Sequence, residues 1–356
     1  MNKTIEKQYK VLIIGITPHG SDSNGLARGF RDAGCVVELI GHDQFFPKTD
    51  RSFITKVFTR LFKNFFKKQF NQHILKYARI IKPHLTVVFK GNYVEAQTLL
   101  KLRDEGSWLA NFYPDLSLTN QPSVDIDCFK HYHHIFTTKS FGVKDYKKNL
   151  DLTEVSFLAH GCDPYVHKVV NKKLCKDWES DVSFIGGWSK HKERYLCALK
   201  SNLPEIELKI WGPGWENNTS DCLELSITGH GIYGDLYSMA INSSHINLGL
   251  LQEKAEGASS GDLTTARTFH IPAAGGFMLH ERTEEVLDFF KEGLEIECFS
   301  SDTELVEKVK FYLSNVTARN HIAETGRNRC LNENKLFDRA ETIIKKYESQ
   351  LEGDLN

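Results

Sequence analysis

Asp181-Val182-Ser183-Phe184-Ile185-Gly186-Gly187 reads as a strand buried on both faces that stops at a glycine pair. Helical spacing follows from Lys192 to Ser201, and then a second strand, Glu207-Leu208-Lys209-Ile210-Trp211-Gly212. Strand, crossover helix and strand make the unit from which parallel sheets are built. The pattern continues downstream. Strands are expected at Ile246-Asn247-Leu248-Gly249-Leu250 and Gly276-Phe277-Met278-Leu279, and helical periodicity covers Glu304–Leu313, His321–Leu331 and Leu336–Leu351.

The first half repeats the alternation. Val11-Leu12-Ile13-Ile14-Gly15-Ile16 is a strand ending at Thr17-Pro18-His19-Gly20, Asn24–Ala33 is helical up to a stop at Gly34, and Val36-Val37-Glu38-Leu39-Ile40 is the next strand. Leu85–Phe89, Trp108–Tyr113, His134–Thr138 and Val155–Leu158 complete the same sheet. After Asp163-Pro164, the polar stretch Val169–Glu179 is the expected linker. Strands alternating with helices, twice over, imply an α/β chain of two Rossmann-like domains in series. The first is expected at residues 1–165 with a returning helix at 335–356, and the second at 166–334. Parallel sheets hold ligands at the carboxyl ends of their strands, so the two domains are expected to face each other across an interdomain cleft.

Composition narrows the function classes. Hydrophobic residues make up 40% of the 356 and charged residues 26%, the balance of a globular protein. No uncharged apolar run approaches the ~18 residues of a membrane-spanning helix. Met1–Lys10 is polar and lacks the apolar core of a signal peptide, which points to a cytoplasmic protein. The eight cysteines include no CxxC pair, and His131, His133 and His134 are wrongly spaced for a helical zinc pair, so no metal site is expected and the thiols read as reduced. With 45 Lys/Arg against 46 Asp/Glu there is no global attraction to nucleic acid. The charge is unevenly divided, however: residues 1–165 carry 23 Lys/Arg against 16 Asp/Glu, and residues 166–356 carry 22 against 30.

Two stretches carry candidate chemistry. Gly186-Gly187 ends a strand and precedes a helix with Lys190, Lys192 and Arg194, where close backbone approach, free N–H groups and basic side chains suit a phosphate; plain turn chemistry is the competing reading. No Walker loop or complete GxGxxG is present, which leaves nucleotide hydrolases and nicotinamide enzymes without support. The second stretch runs from Gly261 through Asp262, Thr264, Thr265, Arg267 and His270 into Ala273-Ala274-Gly275-Gly276-Phe277-Met278-Leu279. Asp262 and His270 lie eight apart, on one helix face if the helix begins at or before Asp262, and such a pair suits sugar and ribose hydroxyls. A capped amphipathic α/β unit is the alternative.

The string Arg267-Thr268-Phe269-His270-Ile271-Pro272-Ala273-Ala274-Gly275-Gly276-Phe277-Met278-Leu279 resembles the donor half of GT-B glycosyltransferases, and specifically the spore-maturation CgeB-like group related to the family 4 retaining enzymes. The likeness extends to Gly231-Ile232-Tyr233-Gly234-Asp235-Leu236-Tyr237, to Val286–Phe290 and to His160-Gly161-Cys162-Asp163. It implies a GT-B architecture and transfer of a sugar from a nucleotide-sugar to an acceptor hydroxyl on a glycan, lipid-linked or envelope acceptor. The nucleotide-sugar is then a substrate, and neither cofactor nor metal is expected. The resemblance assigns Lys192 and Arg194 to the donor diphosphate, Tyr233 and Gly234 to the neighbourhood of the base, and Arg267 to phosphate, sugar or Asp262. Asp262 matches the first of the family's two acidic residues. His270 replaces the second, where an imidazole still hydrogen-bonds a hydroxyl.

In the first half, His19 after the first strand is a candidate for donor phosphate or acceptor, and Asp115 in Asn111-Phe112-Tyr113-Pro114-Asp115 for a general base. Both also read as turn or capping residues. Residues 51–94 hold ten Lys/Arg and no Asp or Glu, with Phe53, Ile54, Val57, Phe58, Leu61, Phe62, Phe65 and Phe66 in a helical stripe. Residues 51–82 therefore suit either an anionic membrane surface, with the protein peripheral at the inner face, or a helix packing its Phe side on the sheet. Two rivals to an enzyme are a non-catalytic sugar-nucleotide or glycan-binding module, favoured by His270, and a peripheral membrane assembly protein on the same fold, favoured by the basic stretch.

Overall fold

The computed structural model describes residues 8–47, 53–119, 121–171 and 178–353. Residues 172–177 of the expected linker, the first seven residues of the N-terminal segment and the first two of the basic stretch lie outside them. The chain forms two compact units, Met1–Ala159 with Glu256–Ser259 and Leu336–Asn356, and His160–Ala255 with Ser260–Lys335. The boundary expected at 165/166 thus falls at 159/160, and a four-residue excursion near 256 joins the first unit.

In the first unit, β1 (Lys10–Gly15), α1 (Asp22–Asp32), β2 (Val36–Gly41), α2 (Phe53–Leu61), α3 (Lys63–Ile81), β3 (Leu85–Phe89), α4 (Ala96–Asp104), β4 (Trp108–Tyr113), β5 (His134–Thr137), α5 (Gly142–Leu150) and β6 (Val155–Phe157) follow in order. The strands form one parallel sheet in the order β2-β1-β3-β4-β5-β6. Its apolar runs are continuous because both faces are covered. Leu12 and Ile14 pack with Phe70 and Ile74 of α3, while Val11 and Ile13 pack with Leu26 and Phe30 of α1.

The second unit contains β7 (Ser180–Ile185), α6 (Lys190–Asn202), β8 (Leu208–Trp211), α7 (Asp235–Ser243), β9 (Ser244–Gly249), α8 (Ala266–Ala273), β10 (Met278–Glu281), α9 (Glu284–Phe289), β11 (Glu297–Phe299), α10 (Asp302–Ser314) and α11 (Val316–Glu333). Its sheet is also parallel, ordered β11-β10-β9-β7-β8. Phe184, Leu196, Leu248, Phe299 and Leu305 are fully buried in its core. The last helix, α12 (Leu336–Gly353), belongs to the first unit, where Ala340 and Ile343 join the α1 side of the core. Gly29 permits this approach, since a Cβ there would lie 2.5 Å from the Leu336 carbonyl oxygen.

Among the described residues, no helix is long and apolar enough to cross a membrane. The expectation that residues 51–82 pack a Phe face on the sheet needs correction. Only the second part does so: α3 buries Phe70, Asn71, Ile74 and Ala78, whereas α2 buries no residue at all.

Candidate functional site

The carboxyl edge of the second sheet is shaped by glycines. Gly186 closes on the next strand through its N–H to the Trp211 carbonyl (2.8 Å), and Gly212, at φ +148°, fits only because it has no Cβ, which would stand 2.0 Å from the Gly186 oxygen. The Trp215 indole donates to that same oxygen at 3.0 Å. Ser189 then caps α6, accepting from the Lys192 amide at 3.4 Å. The sequence Gly186-Gly187 therefore turns the chain sharply from β7 into a helix whose first turn lies at the strand ends.

Two cations meet there. The Lys192 side chain is buried, and its ammonium donates to the Gly187 carbonyl (3.1 Å) and to Gln252 Oε1 (2.6 Å). Arg267, in the first turn of α8, donates to the carbonyls of Leu250 (2.7 Å) and Ile185 (3.4 Å) and lies over the Phe184 ring at 5.3 Å. Burial, and then the Arg267 charge, pull the Lys192 ammonium down to about 8. Among the described residues neither cation has a carboxylate within ion-pair distance, although Asp262, Glu253 and Glu281 exert longer-range attraction on Lys192. A buried ammonium and a half-buried guanidinium, both hydrogen-bonded to neutral partners, make a site whose electrostatic complement is an anion. Gly186 leaves room for the guanidinium: a Cβ there would meet Arg267 Nη1 at 2.8 Å.

Glu281, at the end of β10, organises the rim. It accepts from the Leu251 amide (2.5 Å) and pairs with His191 Nε2 (2.7 Å), a bond that raises the His191 pKa. Behind it His280 is buried against Thr268 Oγ1 (2.9 Å), and burial pulls it down to about 4, so it is neutral. Sequence reasoning missed Gln252, His191 and Glu281. Their partners are 60 and 90 positions away, so no local pattern announces them.

The remaining expected residues divide. Asp262 precedes α8 rather than sharing it with His270, because the helix starts only at Ala266; the one-face argument for that pair fails on this point. The Asp262 amide bonds the Gln252 carbonyl at 2.9 Å, which keeps the residue beside the cation pair. Thr265 is the N-cap of α8, its amide donating to Thr268 Oγ1 at 3.0 Å. His270 is one helical turn beyond Arg267 and buried, its ring stacked on His167 (3.8 Å, 20°) with Nε2 3.2 Å from the Gly161 carbonyl. Gly234 opens α7 at φ 62°, ψ −134°, a conformation for glycine, whereas the Tyr233 side chain is 68% exposed. Arg194 departs from expectation. Its guanidinium pairs with both oxygens of Asp302 (2.9 and 2.8 Å) and lies over Tyr195 at 4.2 Å, away from Lys192.

At the carboxyl edge of the first sheet, Asp115 pairs with Lys90 Nζ at 2.7 Å, and Asn111 donates to the Lys90 carbonyl at 3.4 Å. Lys90 and Tyr93 both sit at positive φ (63° and 62°), strain of the kind found at functional loops. His19 is exposed in the turn before α1. Close by in sequence, Asp43 holds Thr17 through its amide (2.9 Å) and hydroxyl (2.6 Å), an arrangement that sequence reading did not anticipate.

Residues 190–345 match a family model described as glycosyl transferase-like. No curated protein sequence matches the chain. Among solved structures, a sucrose-phosphate synthase from Thermosynechococcus elongatus is similar over 97% of this chain and 100% of its own (TM-score 0.67, 11% identity). A glycosyltransferase from Rickettsia africae covers 97% and 99% (0.65, 11%). Anabaena HepE in complex with UDP-glucose covers 96% and 100% (0.62, 10%). The fold is that of the GT-B glycosyltransferases: two Rossmann-like α/β domains.

Proposed function

We propose that this chain is a glycosyltransferase that moves a sugar from a nucleoside diphosphate-sugar to an acceptor hydroxyl, with the donor diphosphate at Lys192 and Arg267. The observation that carries the reading is the buried Lys192 beside the half-buried Arg267, hydrogen-bonded among the described residues to carbonyls and an amide, at the carboxyl edge of a parallel sheet. The family model over residues 190–345 supports it, and so does UDP-glucose in the Anabaena neighbour, which makes a uridine donor the first to test. As the glycosidic bond breaks, negative charge grows on the departing diphosphate, and donors already fixed in place stabilise it without reorganising. These two side chains supply positive charge in a metal-independent way. His270, one turn beyond Arg267, is held by Nε2 donating to the Gly161 carbonyl, and we assign its ring to the donor side of the site.

We assign the acceptor, a glycan or a lipid-linked hydroxyl, to the first unit, with Asp115 as its carboxylate and His19 as a further contact. Within the family, the Arg267–Leu279 string supports the CgeB-like group. A thermal-shift screen of nucleoside diphosphates and their sugars tests the donor assignment, because a ligand that prefers the folded state raises its melting temperature. A rise with the diphosphate but little with the nucleoside monophosphate is expected. No rise with any diphosphate overturns the reading. Binding without transfer or donor hydrolysis would instead favour the non-catalytic module.

A further inference from the structure

We propose that α2 and the start of α3 seat the protein on an anionic lipid bilayer. An amphipathic helix on a soluble unit ordinarily turns its apolar side inward. Here the orientation is reversed. Phe53 is 81% exposed, Ile54 77% and Leu61 75%, and Val57, Phe58 and Phe65 are exposed beside them. The half-buried residues of α2 are its threonines, Thr55 and Thr59, and the Thr59 hydroxyl is buried with no hydrogen-bond partner. Packing within the unit does not explain an apolar face aimed outward at the expense of an unsatisfied hydroxyl.

Charge identifies the occupant. From Phe53 to Ile81 the chain carries seven Lys/Arg and no Asp or Glu. Lys56, Arg60, Lys68 and Lys76 are exposed and have no ion-pair partner among the described residues. Apolar residues flanked by unpaired cations match the acyl boundary and the phosphate layer of an anionic membrane, which take each component separately. A second copy of this chain offers no such match, since its corresponding face is equally basic.

α3 is held firmly to the unit. Lys63 Nζ lies 5.7 Å from the Tyr93 ring, Phe46 stacks on Tyr93 at 4.0 Å and packs Phe66 at 5.8 Å. Asn71 bonds the Tyr93 carbonyl (2.8 Å), the Glu95 amide (3.0 Å) and the Thr98 hydroxyl (2.8 Å). The start of α3 is thereby fixed beside the strained Lys90–Tyr93 loop, and Phe58 of α2 packs against Phe62 and Phe66 at 4.6 and 6.0 Å. The inference stands independently of the glycosyl-transfer reading.

Co-sedimentation of the full chain with vesicles of phosphatidylcholine plus phosphatidylglycerol, against phosphatidylcholine alone, tests it. Binding is expected to the anionic vesicles only, weakening by about five-fold for each charge removed in K56Q and R60Q, and falling steeply with salt. F53S/L61S, at positions where the side chains are three-quarters exposed or more, should fold normally and lose vesicle binding. Absence of wild-type binding, or binding that survives F53S/L61S, overturns the proposal. So does a dimer that F53S/L61S dissolves in the absence of lipid affinity. Nucleotide affinity measured without vesicles reports separately on the donor site, so either proposal can fail alone.

Discussion

Raising the pH from 7 to 9 strips the proton from Lys192 in the nucleotide-free protein, because burial and the Arg267 charge pull its ammonium down to about 8. A bound diphosphate favours the charged form and returns the group to its ordinary range. Binding above pH 8 is therefore coupled to uptake of one proton, and affinity for UDP should fall about tenfold between pH 7 and pH 9. Removing the ammonium in K192M should cost about 10- to 100-fold at pH 7, the worth of a charge-assisted hydrogen bond, and should flatten the profile. Stability moves the other way. The folded pKa lies below the unfolded one, so the folded chain resists protonation of this group. The cost, on the order of 3 kcal/mol, is full below pH 8 and fades as the pH approaches the ordinary lysine range. K192M sheds that cost while losing the bonds to Gly187 and Gln252, and its melting temperature at pH 7 should match or exceed the wild type's. Isothermal titration in buffers of different ionisation enthalpy reads both affinity and proton uptake. A wild-type affinity that stays flat from pH 7 to 9, or a K192M profile parallel to it, refutes the reasoning.

G186A would press a methyl onto Arg267 Nη1 and the Phe184 ring (2.8 and 2.7 Å), so calorimetry should show weakened nucleotide binding in a folded protein. R194A removes an ion pair whose side chains are 52% and 38% exposed; urea unfolding should register less than about 1 kcal/mol, with nucleotide affinity unchanged. D115N should lower kcat for transfer and leave UDP affinity alone, which separates an acceptor-side carboxylate from a donor contact. Burial opposes ionisation of Glu304, but bonds from Lys308, the Ser300 amide and Arg282 outweigh it and hold its pKa to about 2. Solvent screening holds that stabilisation to about 1 kcal/mol; it is present above the ordinary carboxylate range and is lost as the pH falls toward 2. Urea midpoints for E304Q should be lower than wild type at pH 7 and converge with it in acid.

Strands buried on both faces were the easiest elements to read. Leu85–Phe89 and Trp108–Tyr113 match their expected limits to the residue, because continuous apolar runs mark strands in doubly covered parallel sheets. β11 escaped notice because it is three residues long and begins with Glu297, whose buried carboxylate is held by Lys308 (2.9 Å) and Tyr312 (2.5 Å) far along the chain. The site was legible as a glycine turn plus basic helix, but not in detail. Lys192 and Arg194 are two apart, and about 200° of helical rotation sends them to opposite sides. Arg194 accordingly meets Asp302 instead of the glycine turn. The spacing of Asp262 and His270 carried no helical meaning once α8 began at Ala266. For α2, periodicity revealed a helix but not which side faces the protein, since that depends on a surface assembled from distant segments.

The central claim is that Lys192 and Arg267 together grip the diphosphate of a nucleotide-sugar. A crystal structure of the full chain with UDP tests it most directly. Phosphate oxygens within hydrogen-bond distance of Lys192 Nζ and the Arg267 guanidinium, beside Gly186 and Gly187, are the predicted result. A diphosphate bound elsewhere, for instance at Arg194 with Lys192 still tied only to Gly187 and Gln252, contradicts it.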